Sequence, residues 1–154
     1  MDIAFERPDQ PDVARLIDAL DAYQKPLYPP ESHHGIDMAA LLQPNVLFAV
    51  VRDADRCAVG CGAVVVRAGF GELKRMFVSP QQRGRGIGAL LLGFLEDAAV
   101  ARGCRSLGLE TGIHQPAALA MYERAGYARR GPFGDYVEDP LSVFMEKQML
   151  AQHG

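Results

Sequence analysis

The chain has 154 residues, 49% of them hydrophobic, with a formal net charge of −3 and a sequence pI near 5.8. That length can bury one sizeable core but hardly two, so a single globular domain over residues 1–154 is expected, and the acidic balance argues against a general nucleic-acid surface. No apolar run approaches the ~20 residues of a membrane span, and the opening MDIAFERPDQ lacks the basic and apolar parts of a signal peptide, so a cytoplasmic protein is the expectation.

Ile3 to Arg7 reads as a first strand ended by Pro8. Asp9 or Asp12 is placed to cap a helix in which Val13, Leu16, Ile17 and Leu20 repeat on one face. Lys25 to Gly35, KPLYPPESHHG, holds three prolines and cannot be a regular helix, while Ile36 to Leu42 can form a short one. Tyr28, Glu31, His33 and His34 in this loop are candidates to line an acceptor pocket; an ordinary surface loop explains them equally well. Val46 to Arg52 is a continuous apolar strand, Asp53 to Arg56 a turn, and Ala58 to Arg67 a second valine-rich strand.

The stretch Glu72 to Leu92, ELKRMFVSPQQRGRGIGALLL, begins as a strand through Leu73, Met76, Phe77 and Val78 and is stopped by Pro80. The loop Gln81 to Gly88 follows, and then Ile87, Leu90, Leu91, Phe94, Leu95 and Ala98 recur at helical spacing up to Gly103. Ser106 to Thr111 is a strand with Leu107, Leu109 and Thr111 on one side and Gly108 and Glu110 on the other. Pro116 opens a helix that shows Ala118, Leu119, Tyr122 and Ala125 on one face and stops at Gly126. Tyr127 to Arg130 and Leu141 to Met149 form a last pair of strands. The order βα(α)βββαβαββ is mixed α/β.

Cys57, Cys61 and Cys104 are odd in number, lack CxxC spacing and have no histidines nearby, so core thiols are expected rather than a disulfide framework or a zinc site. His33 and His34 are adjacent, and neighbouring side chains diverge on most backbones. No metal site is expected.

Strand, glycine-rich basic loop and helix together have a physical use. The first turn of a helix carries unpaired N–H groups at the positive end of the macrodipole, so it binds anions. Gly84, Gly86 and Gly88 remove the Cβ atoms that would hold a pyrophosphate away, and Arg83 and Arg85 add positive charge. The phosphate loop of ATPases needs Gly-Lys-Ser/Thr, which Gly86-Ile87-Gly88 does not supply. Gly84-x-Gly86-x-x-Ala89 does satisfy the dinucleotide fingerprint, with Glu110 near the end of the next strand. However, five residues separate strand from first glycine, and no further βα units follow.

Val78-Ser-Pro80-x-x-Arg83-Gly84-x-Gly86-Ile87-Gly88 resembles motif A of the GNAT superfamily of N-acetyltransferases, whose signature Q/R-x-x-G-x-G/A is met by Arg83, Gly86 and Gly88. Leu109 to Gly112, Gln115-Pro116-Ala117, Met121-Tyr122-Glu123, Ala125-Gly126-Tyr127, Gly131 to Gly134 and Phe144 to Lys147 resemble the second half of that family. The resemblance covers essentially the whole chain. It implies an acyl-CoA N-acyltransferase fold with a mostly antiparallel sheet and a central splayed parallel strand pair, and acetyl-coenzyme A as the acyl donor. Cofactor contacts implied are the strand Met76, Phe77 and Val78 and the loop Arg83, Gly84, Arg85, Gly86, Ile87, Gly88 and Ala89. A main-chain N–H at Met76 or Phe77 would polarise the thioester carbonyl. The resemblance also implies a small-molecule or peptide amine as acceptor, and a homodimer is compatible with the family.

An amine with a pKa near 10 is mostly protonated at neutral pH, so a base or water chain must take a proton. Glu72 stands where several members of the family carry a catalytic glutamate, and strand alternation puts it on the side of Lys74 and Met76 unless a bulge intervenes. Pairing with Lys74 or an arginine is its plain structural alternative. Glu110 is the reserve candidate, and a water relay would also serve. Tyr122 matches the family's general-acid position, where a hydroxyl protonates the departing thiolate; aromatic packing is its alternative. The family often has a cofactor-binding asparagine where this chain has His114-Gln115-Pro116. Arg75, Asp135 and Tyr136 are candidates for reading the acceptor's charge, though surface pairing explains Arg75 and Asp135 equally well. Two rival functions stay open: an acyl-coenzyme A sensing module without turnover, and a nicotinamide-dinucleotide protein using Glu110 on a ribose.

Overall fold

The computed structural model describes residues 1–33 and 36–149. In chain order it contains β1 (Asp2–Phe5), α1 (Pro11–Gln24), α2 (Met38–Leu41), β2 (Val46–Arg52), β3 (Ala58–Arg67), β4 (Phe70–Val78), α3 (Ile87–Ala101), β5 (Ser106–Gly112), α4 (Pro116–Arg124), β6 (Ala128–Arg130) and β7 (Ser142–Gln148). The strands form one sheet in the order β1-β2-β3-β4-β5-β7-β6. All neighbours are antiparallel except β4 and β5. The last two strands are a hairpin, as expected, but β7 lies inside it, between β5 and β6.

Both faces of the sheet are covered, which explains why β2 reads as an unbroken apolar run. Ala49 and Val51 point into a core shared with Leu91, Leu92 and Leu95 of α3. Phe48 and Val50 point the other way, against Val13, Leu16, Ile17 and Leu20 of α1. Each fully buried leucine of α3 contributes roughly 1.5–3 kcal/mol of transfer free energy. The stripe expected on α3 is rotated: Leu90 is 60% exposed, and Leu92 takes a core position instead. Gly103 ends that helix with φ +89°, as its place after the last apolar residue predicts. Cys61 and Cys104 are core thiols, whereas Cys57 lies exposed in the turn after β2.

Neither expected aspartate caps α1. Gln10 occupies that position without a side-chain capping bond, Asp9 pairs with Arg7, and Asp12 serves Arg52. Arg52 is 8% exposed, and its guanidinium reaches Glu6 at 2.9 Å, Asp12 at 2.7 Å and the carbonyl of Arg56 at 2.8 Å. Its hydrogen bonds hold both carboxyls below their ordinary values of 4.5 and 3.8. Groups with depressed folded-state values add stability that is complete above the unfolded-state values and is lost as pH falls through the folded ones. Arg52→Met is therefore expected to melt well below wild type at pH 7, with the gap closing toward about pH 3. Melting curves across that range check it.

Candidate active site

The site is built where β4 and β5 part. Their parallel ladder pairs Phe70 with Ser106 through Leu73 with Leu109 and then stops, although both strands continue. The cause lies in β4. Its register with β3 shifts between the Cys61 and Ala63 pairs, and Arg75 takes the left-handed conformation at φ +57°. A non-glycine residue held there in a bulge is strained and re-aims the strand. The guanidinium of Arg75 ties the bulge down through Asp21 of α1 and the carbonyl of Ile36.

The bulge corrects the alternation expected for this strand. Glu72 and Lys74 share a face, but Met76 is turned over and joins Leu73 in the core under α3, while Phe77 joins the core under α1. Met76 Sδ and Leu95 Cδ1 occupy the space a Cβ on Gly62 would need, at 2.4 and 3.0 Å, so glycine there makes room for the turned-over Met76 side chain. From Lys74 to Val78 the edge of β4 toward β5 makes no ladder bonds.

Between the parted strands lies a cavity of about 300 Å³ whose lining includes Arg75, Met76, Glu110, Thr111, Tyr28 and Tyr122. Glu110, on the face of β5 opposite Leu109, accepts a hydrogen bond from Ser142 Oγ at 2.8 Å. Burial pushes its carboxyl up to about 7, outweighing the Ser142 bond and the charge of Lys74, which pull it down. Tyr122 is 5% exposed, its ring is edge-on to Tyr127 at 5.8 Å, and its hydroxyl has no hydrogen bond among the described residues. Burial raises its pKa, so it stays a neutral donor across the physiological range.

Glu72 is placed differently. It is 4% exposed, salt-bridged to Arg67 at 3.1 Å and Lys74 at 3.2 Å, and accepts from the Tyr136 hydroxyl at 2.6 Å. It lines a second groove of about 810 Å³ with Phe70, Phe133 and Asp135, not the cavity between the strands. Of the three residues expected to read acceptor charge, Arg75 is thus engaged with α1, Tyr136 with Glu72, and Asp135 is exposed on that groove. In the proline-rich loop, Tyr28 and His33 line the cavity and Glu31 is exposed, while His34 falls outside the described residues.

Gly84 and Gly86 both adopt left-handed backbone, at φ +83° and +74°, and nothing lies within 4 Å of where a Cβ would stand on either. The N–H groups from Gly84 to Ala89 have no partner among the described residues, and Leu90 makes the first backbone bond of α3. Such a cradle fits a diphosphate. Gly88 serves another purpose: a Cβ there would meet Met121 Sδ at 2.7 Å, so it lets α4 pack against α3. Ile87 is buried in the core and offers the loop only its backbone. Arg83 is turned back, its Nε donating to the carbonyl of Val78 at 3.2 Å and its guanidinium lying over Tyr23 and Phe77. Arg85 is exposed and bonded to Gln82 at 3.2 Å.

Known proteins share this arrangement. The model of the Acetyltransferase (GNAT) family matches residues 14–127. A protein named IAA acetyltransferase from Azospirillum brasilense is 48% identical over 149 residues, covering 96% of this chain and 97% of its own. YsnE of Bacillus subtilis, an uncharacterized N-acetyltransferase, is 37% identical, covering 79% of this chain and 82% of its own. Among solved structures, one from Klebsiella pneumoniae assigned to the acyl-CoA N-acyltransferases superposes with a TM-score of 0.83 at 43% identity, covering 97% of each chain. An aminoglycoside 6′-N-acetyltransferase complexed with coenzyme A shares the fold over 100% of both chains, with a TM-score of 0.74 at 18% identity. With the splayed strand pair and the glycine cradle both in place, the chain belongs to the GNAT family and is an acetyl-coenzyme A dependent N-acetyltransferase.

Proposed function

We propose that the chain transfers the acetyl group to a primary amine by direct attack, with Glu110 as the base and Tyr122 as the proton donor. The observation that carries this reading is the convergence of Glu110, Tyr122 and the unpaired edge of β4 on one cavity. Acetyl-coenzyme A, when bound, supplies an acyl group activated as a thioester. The Gly84 to Ala89 amides suit its diphosphate, and the free edge of Met76, Phe77 and Val78 offers main-chain groups to its arm. Glu110 is roughly half ionised at neutral pH and takes the proton from the amine nitrogen. The Tyr122 hydroxyl, unengaged and neutral, donates to the departing sulfur. Glu72, held by three donors on the far side of Lys74, acts in this reading by keeping the strand charge-balanced.

The acceptor is a small-molecule or peptide amine. Screening an amine library with acetyl-coenzyme A while following thiol release tests both reaction class and acceptor. With the best acceptor, Tyr122→Phe is expected to lower kcat about tenfold with unchanged KM for either substrate. Equal kcat removes Tyr122 from the chemistry.

A further inference from the structure

Glu110 shares its face of β5 with Gly112, and a side chain from far upstream rests on that face. A Cβ on Gly112 would stand 1.7 Å from Tyr28 Oη, 2.0 Å from its Cζ and 2.6 Å from its Cε1, and these three tyrosine atoms are its nearest neighbours. The Gly112 backbone lies outside the left-handed region, so its conformation does not call for glycine. Space for the Tyr28 ring does. The hydroxyl donates to Gln115 Oε1 at 3.3 Å and accepts from the His114 N–H at 3.1 Å, and the ring stacks on His114 at 5.4 Å. Four residues on, Ser32 is buried and donates to Asp139 Oδ2 at 2.6 Å; Asp139 Oδ1 accepts from the Leu141 N–H at 2.9 Å. The segment from Lys25 to His33 is therefore a strap along the cavity fastened at two points, Tyr28 to the start of α4 and Ser32 to Asp139.

We propose that Tyr28, seated on Gly112, is a positioning residue that holds this strap over Glu110 and keeps the carboxyl out of water. The inference rests on the reading of Glu110 as the base. It also explains what His114-Gln115-Pro116 does at the start of α4: its polar groups receive the strap. Charged and titratable groups face Glu110 from every side. Lys74, Glu72 and Arg75 come from β4, Tyr136 and Asp139 from the segment before β7, Tyr28, Lys25 and His33 from the strap, Tyr122 from α4 and Asp21 from α1, while the Ser142 hydroxyl of β7 donates to the carboxyl itself. Lys74 favours the ionised carboxyl, Asp139 and Glu72 oppose it, and burial exceeds each of them.

The test follows the Glu110 carboxyl by carbon NMR in uniformly labelled protein without substrates, using Glu110→Gln to assign the resonance. Wild type is expected to titrate well above the ordinary 4.5, at about 7. Gly112→Ala expels the ring from one side and Tyr28→Ala removes it from the other, so either variant is expected to lower the midpoint by about one pH unit or more. At pH 6 the ionised fraction then rises from about one-tenth to about half or more. The double variant titrates no lower than Tyr28→Ala alone, because the two substitutions act through one contact. An unchanged midpoint in both single variants overturns the inference and leaves the base reading standing. Turnover retained by Glu110→Gln overturns the base reading instead, whatever the titration shows.

Discussion

Glu110→Gln is expected to lower kcat about 10²–10⁴-fold at pH 7 while acetyl-coenzyme A affinity stays within about twofold, because the variant keeps the shape and the Ser142 contact but cannot accept a proton. The wild-type rate at saturating acceptor should fall with a midpoint near 7 as the solution is acidified, and the residual rate of the variant should lack that step. A second consequence concerns stability and has a definite sign. The folded-state value lies above the ordinary 4.5, so the neutral form is the one the fold prefers. The associated stability is complete below 4.5 and is lost as pH rises through about 7. Glu110→Gln should therefore melt above wild type at pH 8, with the difference vanishing near pH 4. Lower activity with a higher melting temperature is the signature of a carboxyl kept dry for its chemistry.

Gly86→Val is expected to raise the KM for acetyl-coenzyme A at least about 100-fold, with kcat much less affected and the loss of melting temperature limited to the backbone strain at that residue. Gly86 caps α3 at φ +74°, a conformation that costs a β-branched residue about 1–3 kcal/mol, and the new side chain would fill the open space in front of the unpaired amides. The loop is exposed, so the damage stays local. Gly88→Val makes the useful contrast. Its side chain would strike Met121 and push α4 away from α3, so it should lower the melting temperature as well. Calorimetric titration with coenzyme A and melting curves on both variants separate the two roles.

β2 and β3 are legible from sequence to the residue, since they are buried on both faces and bounded by turns. The buried face of α1 and the turns at Gly103 and Gly126 are legible for the same local reasons. The bulge is not. Arg75 carries no signal for left-handed backbone, and what stabilises it there comes from Asp21 and Ile36, far away in the chain. Simple alternation therefore groups Met76 with Glu72, whereas the bulge turns Met76 over into the core under α3. Glu110 is visible as a carboxylate on the correct face of β5, but its environment is assembled from Tyr28, Ser142 and Leu141, which no local pattern connects to it. The insertion of β7 beside β5 is likewise a product of pairing between distant segments.

That insertion has a mechanical consequence. β5 is ladder-bonded to β7 along its whole length, from Ser106 opposite Gln148 to Gly112 opposite Ser142, whereas only four residues join it to β4. The sheet is thus two panels sharing one short seam, Phe70 to Leu73, with the slot lying beyond it. Glu110 stands on one panel and the Met76 amide on the other, so the angle between the panels sets how far that carboxyl stands from the main-chain edge of β4.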